Sequence, residues 1–281
     1  MNSAQLCPVS KLDSLLLATD RSAFSEGAVR EAINFAKKCA SKLTVMSVLE
    51  TNPEYETIGA SAYQKEEEEA IKYLESVKTR ASQEGLYNCE TVLHYGEEPS
   101  RLIVDEAAGK KADMIIIGRR GGSGLMKVLM GSVAAKVIGH APCKVLVVPR
   151  AARIDCRSIL VATDGSEHSI AAASESIGIA KRCGSDIIAL SAMHSEEEAE
   201  EAKANVDKVV TMAQKEGILV EAATPIGISH DVIVETAGGR GVDLIVMGTY
   251  GKTGLKKLLM GSSTEKVIGR ASCAVLIVRA P

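Results

Sequence analysis

The chain has 281 residues, a length that fits two domains of roughly 100–150 residues each. Apolar residues make up 46% and charged residues 25%, which excludes a disordered or fibrous chain. The net charge is −3, with 19 basic and 19 acidic side chains in residues 1–150 and 14 and 17 in residues 151–281, so neither half is basic enough for a nucleic-acid surface.

Taken in chain order, short aliphatic runs alternate with longer amphipathic segments. The pattern predicts strands over 15–19, 43–48, 89–93, 114–117 and 145–148. It predicts helices between them over 25–39, 65–83, 100–108 and 132–140. Strands follow again over 159–163, 187–192, 220–223, 244–247 and 275–278. Near-continuous apolar strands read as buried on both faces. Strand–helix alternation implies parallel βαβ units, hence a small, doubly wound, five-stranded sheet per half. Tryptophan is absent and phenylalanine occurs twice, so Val, Ile, Leu, Met and Ala must build the core.

The chain repeats itself. Residues 118–150 and 248–280 align without a gap and share 18 of 33 positions. Residues 14–25, SLLLATDRSAFS, match 158–169, SILVATDGSEHS. The offset is 144 at the first match and 130 at the second, so the first half carries about fourteen extra residues, placed at 51–64, a stretch with no clear period. A period this long makes each repeat a whole domain, 1–150 and 151–281.

Open α/β sheets hold ligands beyond the carboxyl ends of their strands, where the winding reverses. The sequence there is Thr19-Asp20-Arg21-Ser22 and Thr163-Asp164-Gly165-Ser166 after the first strand of each half. After the fourth strand come Gly118, Gly121, Gly131 and Ser132, and Gly248, Gly251, Gly261 and Ser262, both spaced G-x2-G-x9-G-S. Glycines admit an anion close to the backbone. The Gly-Ser pair opens a helix whose first N–H groups attract phosphate. A single Gly-Ser pair would read as an ordinary helix cap; its recurrence at the same place in both repeats points to phosphate binding.

The strand-one aspartate, the glycine loop and the closing apolar strand together resemble the universal stress protein family, over nearly the whole chain and twice. The resemblance implies two tandem Rossmann-like domains of the adenine-nucleotide-α-hydrolase kind, related by pseudo-two-fold symmetry. It implies ATP, ADP or AMP as ligand, accompanied by Mg2+. By that resemblance Asp20 and Asp164 lie beside adenosine, and Val48 and Ala192 meet adenine. The glycines with Ser132 and Ser262 hold ribose and phosphates. Arg21 stands where the second half has Gly165, a minor departure within such a family. Ala192 is smaller than Val48, which loosens adenine packing, while Ser263 and Thr264 add hydroxyls that Val133 and Ala134 lack. The second site therefore ranks above the first for phosphate contacts. Family members dimerise through the last strand, so the two halves are expected to pair there and imitate a homodimer. Further self-association and a protein partner stay open.

Other patterns carry less. Gly251-Lys252-Thr253 lacks the earlier glycine of a phosphate-binding P-loop, since position 246 is valine. The runs 66–69 and 196–198 read as solvated first turns of helices. Cys39 and Cys183, and Cys143 and Cys273, repeat in position and read as small buried residues. The five histidines occupy no repeated position and form no metal set. No secretory h-region and no apolar run of ~18 residues is present, so a cytoplasmic protein is expected. The strand-one turn lacks the SGGxDS-type loop of adenylating enzymes, and no acid–base pair repeats near the loop. A nucleotide-binding stress or signalling module is thus favoured over a slow ATP hydrolase or a nucleotide-free scaffold.

Overall fold

The computed structural model describes residues 12–51, 60–120, 130–251 and 260–280. The strands of the first half are β1 (Ser14–Ala18), β2 (Lys42–Leu49), β3 (Cys89–Tyr95), β4 (Met114–Gly118) and β5 (Lys144–Val148). Its helices are α1 (Glu26–Cys39), α2 (Ala60–Gln83), α3 (Pro99–Gly109) and α4 (Ser132–His140). The second half repeats them as β6 (Ser158–Ala162), β7 (Asp186–Leu190), β8 (Val220–Ala223), β9 (Leu244–Gly248) and β10 (Ala274–Val278). Its helices are α5 (Glu167–Cys183), α6 (Ala199–Lys215), α7 (Ser229–Gly239) and α8 (Ser262–Arg270).

The ten strands form one sheet in the order β3-β2-β1-β4-β5-β10-β9-β6-β7-β8. Each half is parallel throughout. The halves join where β5 and β10 run antiparallel, with Val147 opposite Val275 and Leu146 opposite Leu276. Neither apolar strand could remain an open edge in water without inviting association. Pairing them removes both edges at once.

Alternate residues of each strand face opposite sides of the sheet. Leu15, Leu17, Ile116, Leu146, Val161 and Leu276 pack with α1, α2, α5 and α6 in one layer. Leu16, Ile115, Val147, Leu160, Ile245 and Ile277 pack with α3, α4, α7 and α8 in the other. Corresponding helices therefore share a face while corresponding strands run in opposite directions. The pseudo-two-fold axis is normal to the sheet, and the carboxyl ends of the two halves' strands lie at opposite edges. Arg119 of the first half donates to the Ala271 carbonyl at 2.7 Å, and Arg279 of the second donates to the Gly139 carbonyl at 2.7 Å. Each guanidinium thus meets the C-terminal end of a helix from the other half, where a cation is favoured. Lys144 of β5 pairs with Glu175 of α5 at 2.9 Å.

The structure departs from the sequence pattern in three places. The end strands β3 and β8 are only half-buried, because they form the sheet's outer edges. Residues 60–64 belong to α2 although the sequence shows no period there; residues 52–59 of the same insertion lie outside the described residues. Consequently Glu66–Glu69 sit beyond the first turn of α2, while Glu196–Glu198 form a separate short 3-10 turn ahead of α6.

Candidate functional site

The turn after the first strand is built alike in both halves. In the second, the Ser166 N–H and hydroxyl both donate to Asp164 Oδ1, at 3.0 and 2.6 Å. The Gly165 N–H donates to Thr163 Oγ1 at 3.2 Å, and the Thr163 and Ser169 hydroxyls meet at 3.2 Å. In the first, Ser22 donates twice to Asp20 Oδ1, at 3.2 and 2.8 Å, and the Thr19 and Ser25 hydroxyls meet at 2.8 Å. The short polar side chains replace backbone partners in a tight turn, which fixes the aspartate at the mouth of the cleft. Asp20 is exposed and Asp164 half-buried.

The glycine loop closes on itself in the same way twice. Gly131 N–H donates to the Arg119 carbonyl and Gly261 N–H to the Thr249 carbonyl, both at 3.0 Å. Gly131 and Gly261 then serve as N-caps of α4 and α8, with extended backbone at φ −71° and −66°. Beyond each cap the first N–H groups of the helix lack intrahelical acceptors and face the end of the cleft. Gly121 and Lys252 lie outside the described residues.

The glycines divide by what surrounds them. A Cβ on Gly248 would come within 2.7 Å of His168 Cβ and 2.8 Å of the His168 carbonyl carbon. Gly118 similarly faces Ser25 Cα at 3.2 Å and the Phe24 carbonyl at 3.3 Å. These two are glycines because the start of α5, or the 3-10 turn Ala23–Ser25 ahead of α1, packs on them. A Cβ on Gly251 would overlap Asp164 Oδ2, so this glycine lets the aspartate lie against the loop. Gly261 is different. Among the described residues a Cβ there meets nothing nearer than the Thr249 carbonyl at 3.5 Å, and its φ is one any residue adopts.

In the second half these elements enclose a cavity of about 400 Å³. Asp164, Ala192, Gly248, Gly251, Gly261 and Ser262 all line it. Leu190, Ala192, Ile233 and Met247 give the cavity apolar lining, and Ser262, Ser263 and Thr264 bring hydroxyls at the N-terminus of α8. The Thr264 hydroxyl already donates to the Gly248 carbonyl at 3.2 Å, so it braces the loop. In the first half Asp20, Val48, Gly118, Gly131 and Ser132 occupy the corresponding ends of β1, β2, β4 and α4.

The family profile that matches the chain, described as the universal stress protein family, covers residues 11–149 and again 156–279. The chain belongs to the universal stress protein family. A universal stress protein of Methanocaldococcus jannaschii is 36% identical over 141 residues, covering 44% of this chain and 83% of that protein. One from Synechocystis sp. is 32% identical over 149 residues, covering 48% of this chain and 96% of that protein. Each such relative therefore corresponds to about one half of the chain. Among solved structures, a universal stress protein from Archaeoglobus fulgidus superposes with a TM-score of 0.79 at 22% identity, covering 97% of this chain and all of that one. That likeness carries the tandem fold.

Within this universal stress protein fold the sequence did not single out several lining residues: Ser191, Asn205, Ser229, Ile233, Met247 and Tyr250. Ser191 could have been found, since it repeats Ser47 at the same offset as the aspartates. Ile233 likewise repeats Ile103 at the offset of the glycine loops, whereas Asn205 of α6 has no counterpart of its kind in the first half. The cysteines also sort differently from expectation. Cys273 is buried, but Cys183 is exposed at the end of α5 and Cys39 is disulfide-bonded. The Cys183 thiol hydrogen-bonds that of buried Cys156. That bond, with Lys38 and Arg182 nearby, holds Cys183 below the usual thiol range and pushes Cys156 well above it. Among the described residues no three His, Cys, Asp or Glu side chains gather as a metal site, and no helix is long and apolar enough to cross a membrane.

Proposed function

We propose that the chain is a cytoplasmic stress-response or signalling module of two domains, 1–150 and 151–281, which binds an adenine nucleotide (ATP, ADP or AMP) at the carboxyl ends of β6 and β9. The observation that carries this reading is Gly261. Neither its backbone angles nor its neighbours among the described residues exclude a side chain there. A ligand approaching the N-terminus of α8 does need a glycine.

The cavity has the size and lining such a ligand requires. About 400 Å³ falls within the range of small-molecule sites. A base fits the apolar lining of Leu190, Ala192, Ile233 and Met247, with the Ala192 backbone at hand for its edge. The Asp164 carboxylate lines the cavity with Oδ2 against Gly251, suited to ribose hydroxyls. The phosphates then reach the first turn of α8, where Ser262 and the free N–H groups neutralise them. Mg2+ would be held mainly by the phosphates themselves, since no acidic cluster of its own is present among the described residues. Asp164 spends Oδ1 on Ser166, while an exposed His194–Glu198 pair, 3.3 Å apart, also lines the cavity, so the turnover assay below decides whether hydrolysis accompanies binding.

Calorimetry on nucleotide-free protein tests the proposal. ATP should give saturable heat and raise the melting temperature, with GTP weaker. Absence of both effects at millimolar ATP would sink it. Turnover of several per second, free of contaminating ATPase, would replace the module with an enzyme.

A further inference from the structure

We propose that Arg21 closes the adenine end of the first half's cleft, so that the chain holds one nucleotide, in its second half, for its two domains. The inference rests on the nucleotide reading above and concerns which half can act on it.

Arg21 follows Asp20 with φ +67°, a left-handed conformation that a side chain disfavours. Its contacts hold it there. The Arg21 N–H donates to Thr19 Oγ1 at 3.1 Å. The guanidinium folds back over the end of β2, where Nη1 donates to Ser47 Oγ at 3.0 Å and to the Val48 carbonyl at 3.4 Å. Nη2 pairs with Glu66 at 3.1 Å. Ser47 and Val48 are the residues whose counterparts, Ser191 and Ala192, line the cavity of the second half.

The second half meets the corresponding serine with a neutral amide instead of a guanidinium. Residue 165 is glycine, at φ +75°, and the Ser191 hydroxyl is met by Asn205 Nδ2 at 3.4 Å. The space a residue-165 side chain would enter is taken by Asn205, with Lys208 Nζ beside it. A neutral amide on α6 therefore does for Ser191 what a guanidinium does for Ser47, and among the described residues no guanidinium hydrogen-bonds the Ala192 carbonyl. The difference matters for an adenine ring. Its exocyclic amino group is a hydrogen-bond donor and needs that backbone carbonyl as acceptor. At Val48 a donor already sits there, and it is charged.

The latch on Arg21, Glu66, comes from the lengthened N-terminal end of α2, just after the insertion at 51–64. Helix α2 has 24 residues and α6 has 17. Both end just before a Glu-Gly pair, Glu84-Gly85 and Glu216-Gly217, so the extra residues are 60–66, at the N-terminal end. Glu66 is the last of them. The added turns of α2 thus supply the carboxylate that keeps the guanidinium over Val48. Withdrawing Arg21 to admit a base would give up the Glu66 pair and both β2 contacts.

Equilibrium dialysis of the full-length protein against ATP, with the number bound per chain as readout, tests this. Wild type should saturate at one, and Arg21→Gly, which suits the left-handed backbone, should saturate at two. Arg21→Asn serves as a second variant, since asparagine tolerates that conformation. Adding Gly261→Val should reduce wild type to none and the Arg21 variants to one, which places the gained site in the first half. Two equal sites in wild type, or variants that stay at one with an unchanged circular dichroism spectrum, would overturn the role of Arg21 while leaving nucleotide binding intact. No ATP bound by wild type or by either Arg21 variant would overturn the nucleotide reading and this inference with it.

Discussion

Gly261→Val separates a glycine kept for a ligand from one kept for the fold. Among the described residues the nearest atom to a Cβ at this position is the Thr249 carbonyl at 3.5 Å, followed by Thr264 Oγ1 and Tyr250 Cα at 3.7 Å. These are ordinary contacts, so the side chain fits the ligand-free chain. Its cost to stability is that of a poor N-cap, ~1 kcal/mol or less. In the liganded chain the branched side chain projects towards the phosphates, at the first N–H groups of α8. Hydrogen bonds to a charged group contribute about 1.5–3 kcal/mol each. Losing one of them corresponds to about 10-fold to about 100-fold weaker binding, at ~1.4 kcal/mol per factor of ten. Calorimetric titration with ATP and with adenosine gives the decisive comparison. ATP affinity should fall by that factor, while adenosine, which has no phosphate, should bind both proteins alike. Equal loss for both ligands would mean that the cavity had collapsed rather than that phosphate was excluded. Unchanged ATP affinity would refute the placement of phosphate at Gly261.

Gly248→Ala should behave in the opposite way, because its Cβ overlaps the His168 backbone and side chain. A destabilisation of about 1–3 kcal/mol, typical of overpacking, is expected in urea denaturation with no ligand present. In mass-spectrometric mapping at neutral pH, iodoacetamide should label Cys183 well before Cys89, Cys143 and Cys273, whose thiols burial pushes up to about 11. Cys156→Ala should slow the Cys183 reaction by removing the hydrogen bond that favours its thiolate. Glu90 is held at about 2, well below the ordinary carboxylate range, first by its hydrogen bond to Lys110 and then by Lys42. A depressed carboxylate stabilises the fold above its unfolded value near 4.5 and loses that contribution as pH falls towards 2. Glu90→Gln should therefore cost ~0.5–1 kcal/mol at pH 7, small because the group is partly exposed, and nothing near pH 2. A cost independent of pH would argue that packing, not charge, is responsible.

The sequence by itself determined the local chemistry. Alternation of aliphatic runs with amphipathic segments is a backbone-level signal, and it reported the α/β units and their order. Duplication made the aspartate turn and the Gly-Ser helix start visible, because each is a short motif whose bonds close within a few residues. Ser22 reaches Asp20 and Ser166 reaches Asp164 across two positions. The apolar character of 145–148 and 275–278 also announced that these strands could not stay as edges. Tertiary structure alone decided what depends on residues distant in sequence. It separated Gly248, which is crowded by α5, from Gly261, which is not, although the motif treats them alike. It left β3 and β8 half-buried at the rims, where composition suggested full burial. It brought Asn205 to the cavity from a helix whose periodicity reports only a buried face. Above all it placed the Arg21 guanidinium on Ser47, 26 residues away, and on Glu66, 45 residues away. A long side chain can reach in many directions from a turn, and only the packed positions of β2 and α2 fix which one it takes.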